Sequence, residues 1–165
     1  MYPIPTHLKN IMIPLGEENN EFQVYGSIRC FCGCEGFQLR GYEDAEYGGN
    51  YTSPLKAICK DCGKEYIIFD QSKHGWDGFV CHDGNEIPYE ELSEMLCPIC
   101  GYDTHEIKVR ISSQGKQDFI DEAGIDSESD MNEDDWVNAF EWITIGLKCL
   151  ECEHNDEEWL DLETM

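Results

Sequence analysis

Runs in which apolar and polar residues alternate recur along the chain, and most stand beside a cysteine. Phe22-Gln23-Val24-Tyr25-Gly26-Ser27-Ile28 alternates and leads toward Cys30, and Phe37-Gln38-Leu39-Arg40-Gly41-Tyr42 leads away from that cysteine group. Leu55-Lys56-Ala57-Ile58 enters Cys59, and Glu65-Tyr66-Ile67-Ile68-Phe69 leaves Cys62. A period of two turns one face of a pleated strand toward a core, and β-branched and aromatic residues suit that surface. Glu46-Tyr47-Gly48-Gly49-Asn50 reads as a turn between strands. The second half follows the same plan. His105-Glu106-Ile107-Lys108-Val109-Arg110-Ile111 leaves Cys100, Trp142-Ile143-Thr144-Ile145-Gly146-Leu147-Lys148 enters Cys149, and Trp159-Leu160-Asp161-Leu162 follows Cys152.

The halves also compare locally, Ile58-Cys59-Lys60-Asp61-Cys62 against Lys148-Cys149-Leu150-Glu151-Cys152, which reads as a tandem duplication of one supersecondary unit. The second copy is interrupted at about 115–141. Phe119, Ile120 and Ala123 share one helical face there, and Trp136 and Phe140, four apart, share another. Ser129 stands where a helix cap would, with acids in the following turn. Residues 71–94 join the copies. The stretch from Gln71 to Gly84 is rich in glycine and aromatics without a period, whereas Pro88-Tyr89-Glu90-Glu91-Leu92-Ser93-Glu94-Met95-Leu96 reads as a short helix. Trp76, Phe79 and Tyr89 read as core between the copies. The expected architecture is mainly β with a small helical insertion, a β-rich α+β fold. Two units, 1–70 with its N-terminal strand and 95–165 with the acidic insertion, each form a small antiparallel sheet carrying two cysteine turns.

The 10 cysteines fall into order: Cys30, Cys32 and Cys34, then Cys59 and Cys62, Cys81 alone, Cys97 and Cys100, and Cys149 and Cys152. A C-x-x-C turn places two thiolates on one side of a tight loop. Two such turns joined by a hairpin complete the sulfur tetrahedron that zinc prefers. A glycine after the second cysteine supplies left-handed backbone, and Gly33, Gly63 and Gly101 stand there. The expected ligands are Cys30, Cys32, Cys59 and Cys62 for one Zn2+ ion and Cys97, Cys100, Cys149 and Cys152 for a second. The leading group is C-x-C-x-C, and Gly33 directly after Cys32 selects Cys30 and Cys32, leaving Cys34 spare or exchanging with one of them. Four thiolates close a site, so both ions read as structural; a catalytic zinc keeps a position open. An iron–sulfur cluster also takes four cysteines, but the flanking hairpins favour zinc.

On these residues the chain resembles the zinc ribbon family, with rubredoxin-like knuckles, repeated in tandem. The second unit carries the pattern in full, while the first departs from it at the C-x-C-x-C group. The resemblance implies zinc and the ribbon fold and assigns no activity, because ribbons serve many tasks. His74-Gly75-Trp76-Asp77-Gly78-Phe79-Val80-Cys81-His82-Asp83 also resembles a segment of bacterial zinc-ribbon proteins, which again adds no activity.

Enzyme chemistry would be sought at Cys81-His82-Asp83, since a Cys/His pair can make an activated nucleophile. Neighbours on a strand point to opposite faces, however. Cys81 therefore reads as a buried cysteine beside a surface histidine, with Cys81 or His82 as the alternative zinc ligand in place of one first-knuckle cysteine. His74, His105 and His154 have no visible partners and read as structural. No nucleophile, phosphate-loop or metal-hydrolase motif occurs, so the expectation is a protein that is not an enzyme.

Charge narrows the partners. The chain carries 35 acidic and 11 basic residues, a formal net charge of -24. Two zinc ions, each held by four thiolates, would take it to about -28. Such acidity argues against direct binding to a phosphate backbone, and Arg29, Lys56, Lys60, Lys64 and Lys73 are scattered among acids. Prolines interrupt the N-terminal stretch, no export signal is visible and no run approaches the roughly 18–20 apolar residues of a membrane span. The expectation is a soluble, cytoplasmic protein with reduced thiols. Three function classes follow. The first is a non-catalytic protein that binds a basic protein partner, with the acidic run at 126–135 as contact, in the physical style of toxin-immunity proteins and nucleic-acid mimics. The alternative is a transcription- or nucleic-acid-associated zinc ribbon regulator. The third is an enzyme using Cys81 or His82.

Overall fold

The alternating runs form strands. The computed structural model describes residues 1–47, 50–126 and 128–165, so Gly48 and Gly49 of the expected turn, and Ser127 of the acidic run, lie outside the described residues. The strands are β1 (Met12–Pro14), β2 (Gln23–Ile28), β3 (Phe37–Asp44), β4 (Asn50–Cys59), β5 (Glu65–Phe69), β6 (Ser93–Met95), β7 (Thr104–Ser112), β8 (Trp142–Cys149) and β9 (Asn155–Glu163). Their period-two burial is clear in β2, where Val24, Gly26 and Ile28 are buried, and in β7, where Ile107, Val109 and Ile111 are buried and Lys108 is exposed.

The expectation of two separate small sheets is overturned. The described strands form one curled, antiparallel half-barrel of nine strands, running β1-β2-β7-β3-β4-β5, with β6 on β3 and β8 and β9 beyond β7. The cause is an exchange. β2, which enters the first knuckle, pairs with β7 of the second half, Gly26 opposite Val109 and Ser27 opposite Lys108. β6, which enters the third knuckle, pairs with β3 of the first half, Arg40 opposite Glu94 and Gly41 opposite Ser93. β3 and β7 meet between these exchanged strands, Phe37 opposite His105. Without the exchange β3 and β7 would each expose an edge of unpaired N–H and C=O groups. A half of about 70 residues would also bury too little apolar surface to be more than marginal. The merged core draws on both halves, with Val24, Ile28, Phe37, Leu39 and Leu55 in one cluster with Ile107, Val109, Ile111, Ile143 and Ile145.

The ladders repeat. Phe37 lies opposite Cys59, and His105 lies opposite Cys149. Ala57 lies opposite Tyr66, and Leu147 opposite Asp156. These registers give a residue-by-residue equivalence between the halves.

The linking segments differ from expectation in three places. Residues 88–96 form a 3-10 turn at Tyr89–Glu91 and then β6, because the open edge of β3 offers backbone partners that outweigh the helix propensity of Glu, Leu and Met. In the insertion, α1 (Lys116–Glu122) buries Phe119 as expected, but Glu133–Asn138 is a 3-10 helix and Phe140 lies beyond its end. Its cap is Asn132, in a capping box with Asp135, while the Ser129 hydroxyl accepts from Met131 N–H at 3.2 Å. Trp76 and Phe79 pack with Phe119 in a second, smaller cluster. Tyr89 is only half-buried, and its hydroxyl donates to Asp70 at 2.7 Å. No helix among the described residues is long and apolar enough to cross a membrane.

The N-terminal stretch is part of the core. Tyr2 is fully buried, its hydroxyl donates to the carbonyls of Trp136 at 2.8 Å and Val137 at 2.9 Å, and its ring meets the Trp136 ring edge-on. His7 stacks on His74 with centroids 3.6 Å apart, and His74 Nδ1 accepts from Asp70 N–H. Burial lowers His7 to about 4, against a weaker opposing hydrogen bond with the Ile68 carbonyl. Burial and then the neighbouring His7 lower His74 to about 3. The unfolded chain takes up these protons below the ordinary histidine value and the folded chain does not. This part of the stability is present above about pH 6.5 and is lost as pH falls toward 4, at up to about 1.4 kcal/mol per pH unit for each histidine. Melting curves between pH 7.5 and 5 should show a falling Tm, with a shallower fall in His7→Phe; parallel slopes would remove the stack as a source of acid sensitivity.

Candidate metal centres

Each cysteine turn links two strands of the shared sheet, so the ladder sets which turns meet. The Cys30–Cys32 turn follows β2, the Cys59–Cys62 turn joins β4 to β5, the Cys97–Cys100 turn joins β6 to β7 and the Cys149–Cys152 turn joins β8 to β9. Three of them share one geometry, in which the first cysteine N–H donates to a carbonyl five residues on: Cys59 to Lys64, Cys97 to Tyr102 and Cys149 to His154. The first turn is one residue shorter and closes from Cys30 N–H to the Cys34 carbonyl, which explains its C-x-C spacing. Gly33, Gly63 and Gly101 take the positive φ expected of them, and Glu153 takes it in the fourth turn at φ 63°.

The sulfurs of Cys30, Cys32, Cys59 and Cys62 lie within 4.8 Å of one another, and so do those of Cys97, Cys100, Cys149 and Cys152. Sγ···Sγ separations are 3.5 Å for Cys30–Cys62 and for Cys32–Cys59, and 3.6 Å for Cys97–Cys152 and for Cys100–Cys149. A disulfide would need about 2.05 Å. A tetrahedral ion with metal–sulfur bonds of about 2.3 Å needs sulfurs about 3.8 Å apart, so the donor set and spacing fit a metal ion in each cluster. Both clusters could therefore hold metal, compatible with zinc-ribbon-like sites. In each, one cysteine of either turn is buried and the other exposed.

Backbone and side-chain donors favour thiolate within each cluster. Burial raises the Cys30 thiol, but hydrogen bonds from the Tyr66 hydroxyl at 3.2 Å, the Cys32 backbone, Cys62 and Cys59 outweigh it and bring it to about 6. Burial likewise raises Cys97, while the Cys100 and Ile99 N–H groups, Cys152 and Cys149 bring it to about 6. The partner sulfurs carry the protons. At Cys32 the Cys34 N–H favours thiolate, but Cys59, burial and Cys30 push it up to about 12. At Cys152 the His154 N–H favours thiolate, but burial and the other three sulfurs push it up to about 12. A metal ion must displace those protons, so its affinity falls with acid. The alternation of chain order gave no sign of Tyr66 as a sulfur partner; only the pairing of β4 with β5 brings its hydroxyl to Cys30.

Cys34 lies outside the first cluster and contacts the backbone of Gly36 through its sulfur. Cys81 and His82 are not on a strand and do not join either cluster. They follow a π-helical turn at Trp76–Val80, and both are exposed, so the reading of Cys81 as buried is corrected. His74 is placed by its stack with His7, whereas His105 is buried with Nδ1 unpartnered among the described residues.

Cys97→Ser should remove one of two bound metal ions and lower the Tm of the whole chain in a single transition, because β7 belongs to both halves of the sheet; metal analysis and calorimetry on one preparation check this. Cys34→Ser should keep both ions, and a lost ion there would place Cys34 among the ligands. Glu153→Gly should raise stability in urea by about 1 kcal/mol by relieving left-handed strain, and an unchanged midpoint would show that the turn carries no such strain. No protein-family model matches this chain, and no curated protein or solved structure is significantly similar to it.

Proposed function

We propose that the chain is a non-catalytic zinc-ribbon-like scaffold, held by two structural Zn2+ ions, that binds a basic protein partner through its acidic surface. Zinc is the ion that closed tetrahedral thiolate sites of this spacing suit best, and four thiolates leave no open position for catalysis. The observation that carries the partner reading is where the acids lie. Asp126, Glu128, Asp130, Glu133 and Asp134 are all exposed in the insertion, and Lys116 lies 3.9 Å from Glu133 and 3.4 Å from Asp134. Such exposed pairs are worth little, roughly 0–1 kcal/mol, and they involve Glu133 and Asp134 alone among these five acids, so the carboxylates remain available. Along the outer strand β9, Asp156, Glu157, Glu158, Asp161 and Glu163 are exposed as well. Concentrated negative charge speeds encounter with a positive surface and selects it, in the manner of immunity proteins and nucleic-acid mimics.

The test uses the zinc-loaded chain as bait in lysate of its own source, beside a variant with Asp126, Asp130, Glu133 and Asp134 changed to their amides. A basic protein held at low salt, released as salt rises and lost with the variant, is the expected result. Retention of nucleic acid alone, or of the same protein by both baits, would overturn the reading.

A further inference from the structure

The two halves differ at equivalent positions, and the difference opens a cavity beside the second cysteine cluster. In the first half Phe37, opposite Cys59, is fully buried and meets the Tyr66 ring edge-on with centroids 6.4 Å apart. Tyr66, opposite Ala57, in turn reaches the Cys30 sulfur. The ladder puts His105 where Phe37 stands and Asp156 where Tyr66 stands. The aromatic plug of the first half is therefore missing from the second, and a cavity of about 480 Å³ lies there, lined by Tyr51, Met95, Leu96, His105, Asp156 and Trp159 among others. That volume falls in the range of small-ligand sites, roughly 300–1,000 Å³.

His105 is only 6% exposed, yet its ring makes no hydrogen bond among the described residues and Nδ1 is sealed in without a partner. A buried polar group in that state is costly; Nδ1 is closed off from the cavity, and the ring enters the lining through its other atoms. A metal ion is not the occupant the geometry suits. Among the described residues the two cysteine clusters are the groups of three or more metal-capable side chains, and His105, His154 and Asp156 do not form a third.

We propose that this cavity binds an organic cation on an apolar stem, of the lysine or arginine side-chain type. Asp156 is the one formally charged residue in its lining, and no lysine or arginine lines it. The Asp156 carboxylate accepts N–H groups of the cation, while Tyr51 and Trp159 supply aromatic lining of the kind that attracts cations and Met95 and Leu96 cover the stem. An anion would meet Asp156 and a chain of formal charge -24. A purely apolar ligand would strip water from the Asp156 carboxylate without supplying a counter-charge. The proposal rests on the basic-partner reading and names the kind of side chain such a partner would insert.

The test is an NMR titration of the zinc-loaded full chain, read at the His105 and Asp156 amides and the Trp159 indole. The probes are acetyl-arginine amide, its neutral citrulline counterpart and a short arginine-rich peptide. The decisive variant, His105→Phe with Asp156→Tyr, rebuilds the first half's plug and should fold with both ions in place; Asp156→Asn serves if it does not fold. Saturable shifts at the cavity with the arginine probe are expected, weaker by about ten-fold or more with citrulline or in either variant. Tighter binding of the peptide would assign the cation to a protein segment, and equal binding to a free small molecule. No shift at the cavity, equal response to citrulline, or unchanged binding by the variants would overturn the proposal. Peptide shifts confined to 126–135 would do so while leaving the acidic-surface reading standing. Arginine binding at the cavity with no peptide binding anywhere would instead remove the basic-partner reading.

Discussion

The short antiparallel contact between β3 and β7, where Phe37 faces His105, is the constraint on which the remaining architecture turns. It is flanked by the two exchanged strands, β2 on β7 and β6 on β3, so each half supplies an edge that the other half needs. The cysteine turns stand at the ends of these same strands. An ion in the first cluster would tie the turn after β2 to the turn between β4 and β5, and through β2 it would anchor β7 as well. Metal binding and sheet formation would be coupled across the whole chain rather than within one half.

The same contact explains why two clusters of similar geometry have unlike surroundings. At the first, Tyr66 covers Phe37 and reaches a sulfur. At the second, His105 and Asp156 hold the equivalent positions and a cavity remains. A repeated ladder with unequal fillings is a way for one half to keep structure while the other gains chemistry, since burying a partnerless imidazole works against stability.

The insertion and the chain start are tied to each other and to the chain's other terminal segment. Tyr2 reaches the carbonyls of Trp136 and Val137, and Thr164 N–H near the other terminus bonds to the Glu141 carbonyl. Gly75 lies so close to Thr164 that an added Cβ would sit 2.6 Å from its Cβ. The Tyr2 contacts join segments more than a hundred residues apart, and nothing in local periodicity announces any of these contacts. That is why Tyr2 and His7 carried no signal in the sequence although both are tied into the packed structure.

What the sequence determined by itself was local: strands from period-two alternation, with β5 read at its observed bounds, turns from the cysteine spacing, left-handed positions from Gly33, Gly63 and Gly101, and the grouping of the second cluster's sulfurs, while in the first Cys34 stayed open as an exchanging member. Pairing partners were beyond it. Residues 93–95, in a stretch of helix-forming side chains, became a strand because β3 had an open edge; Asn132 rather than Ser129 became a cap because packing chose where the chain turned. Hydrophobic period tells which face of a strand is buried but not which strand lies beside it. The exchange of β2 and β6, the single sheet and the cavity at His105 follow from satisfying backbone edges over long range, and only the tertiary structure decided them.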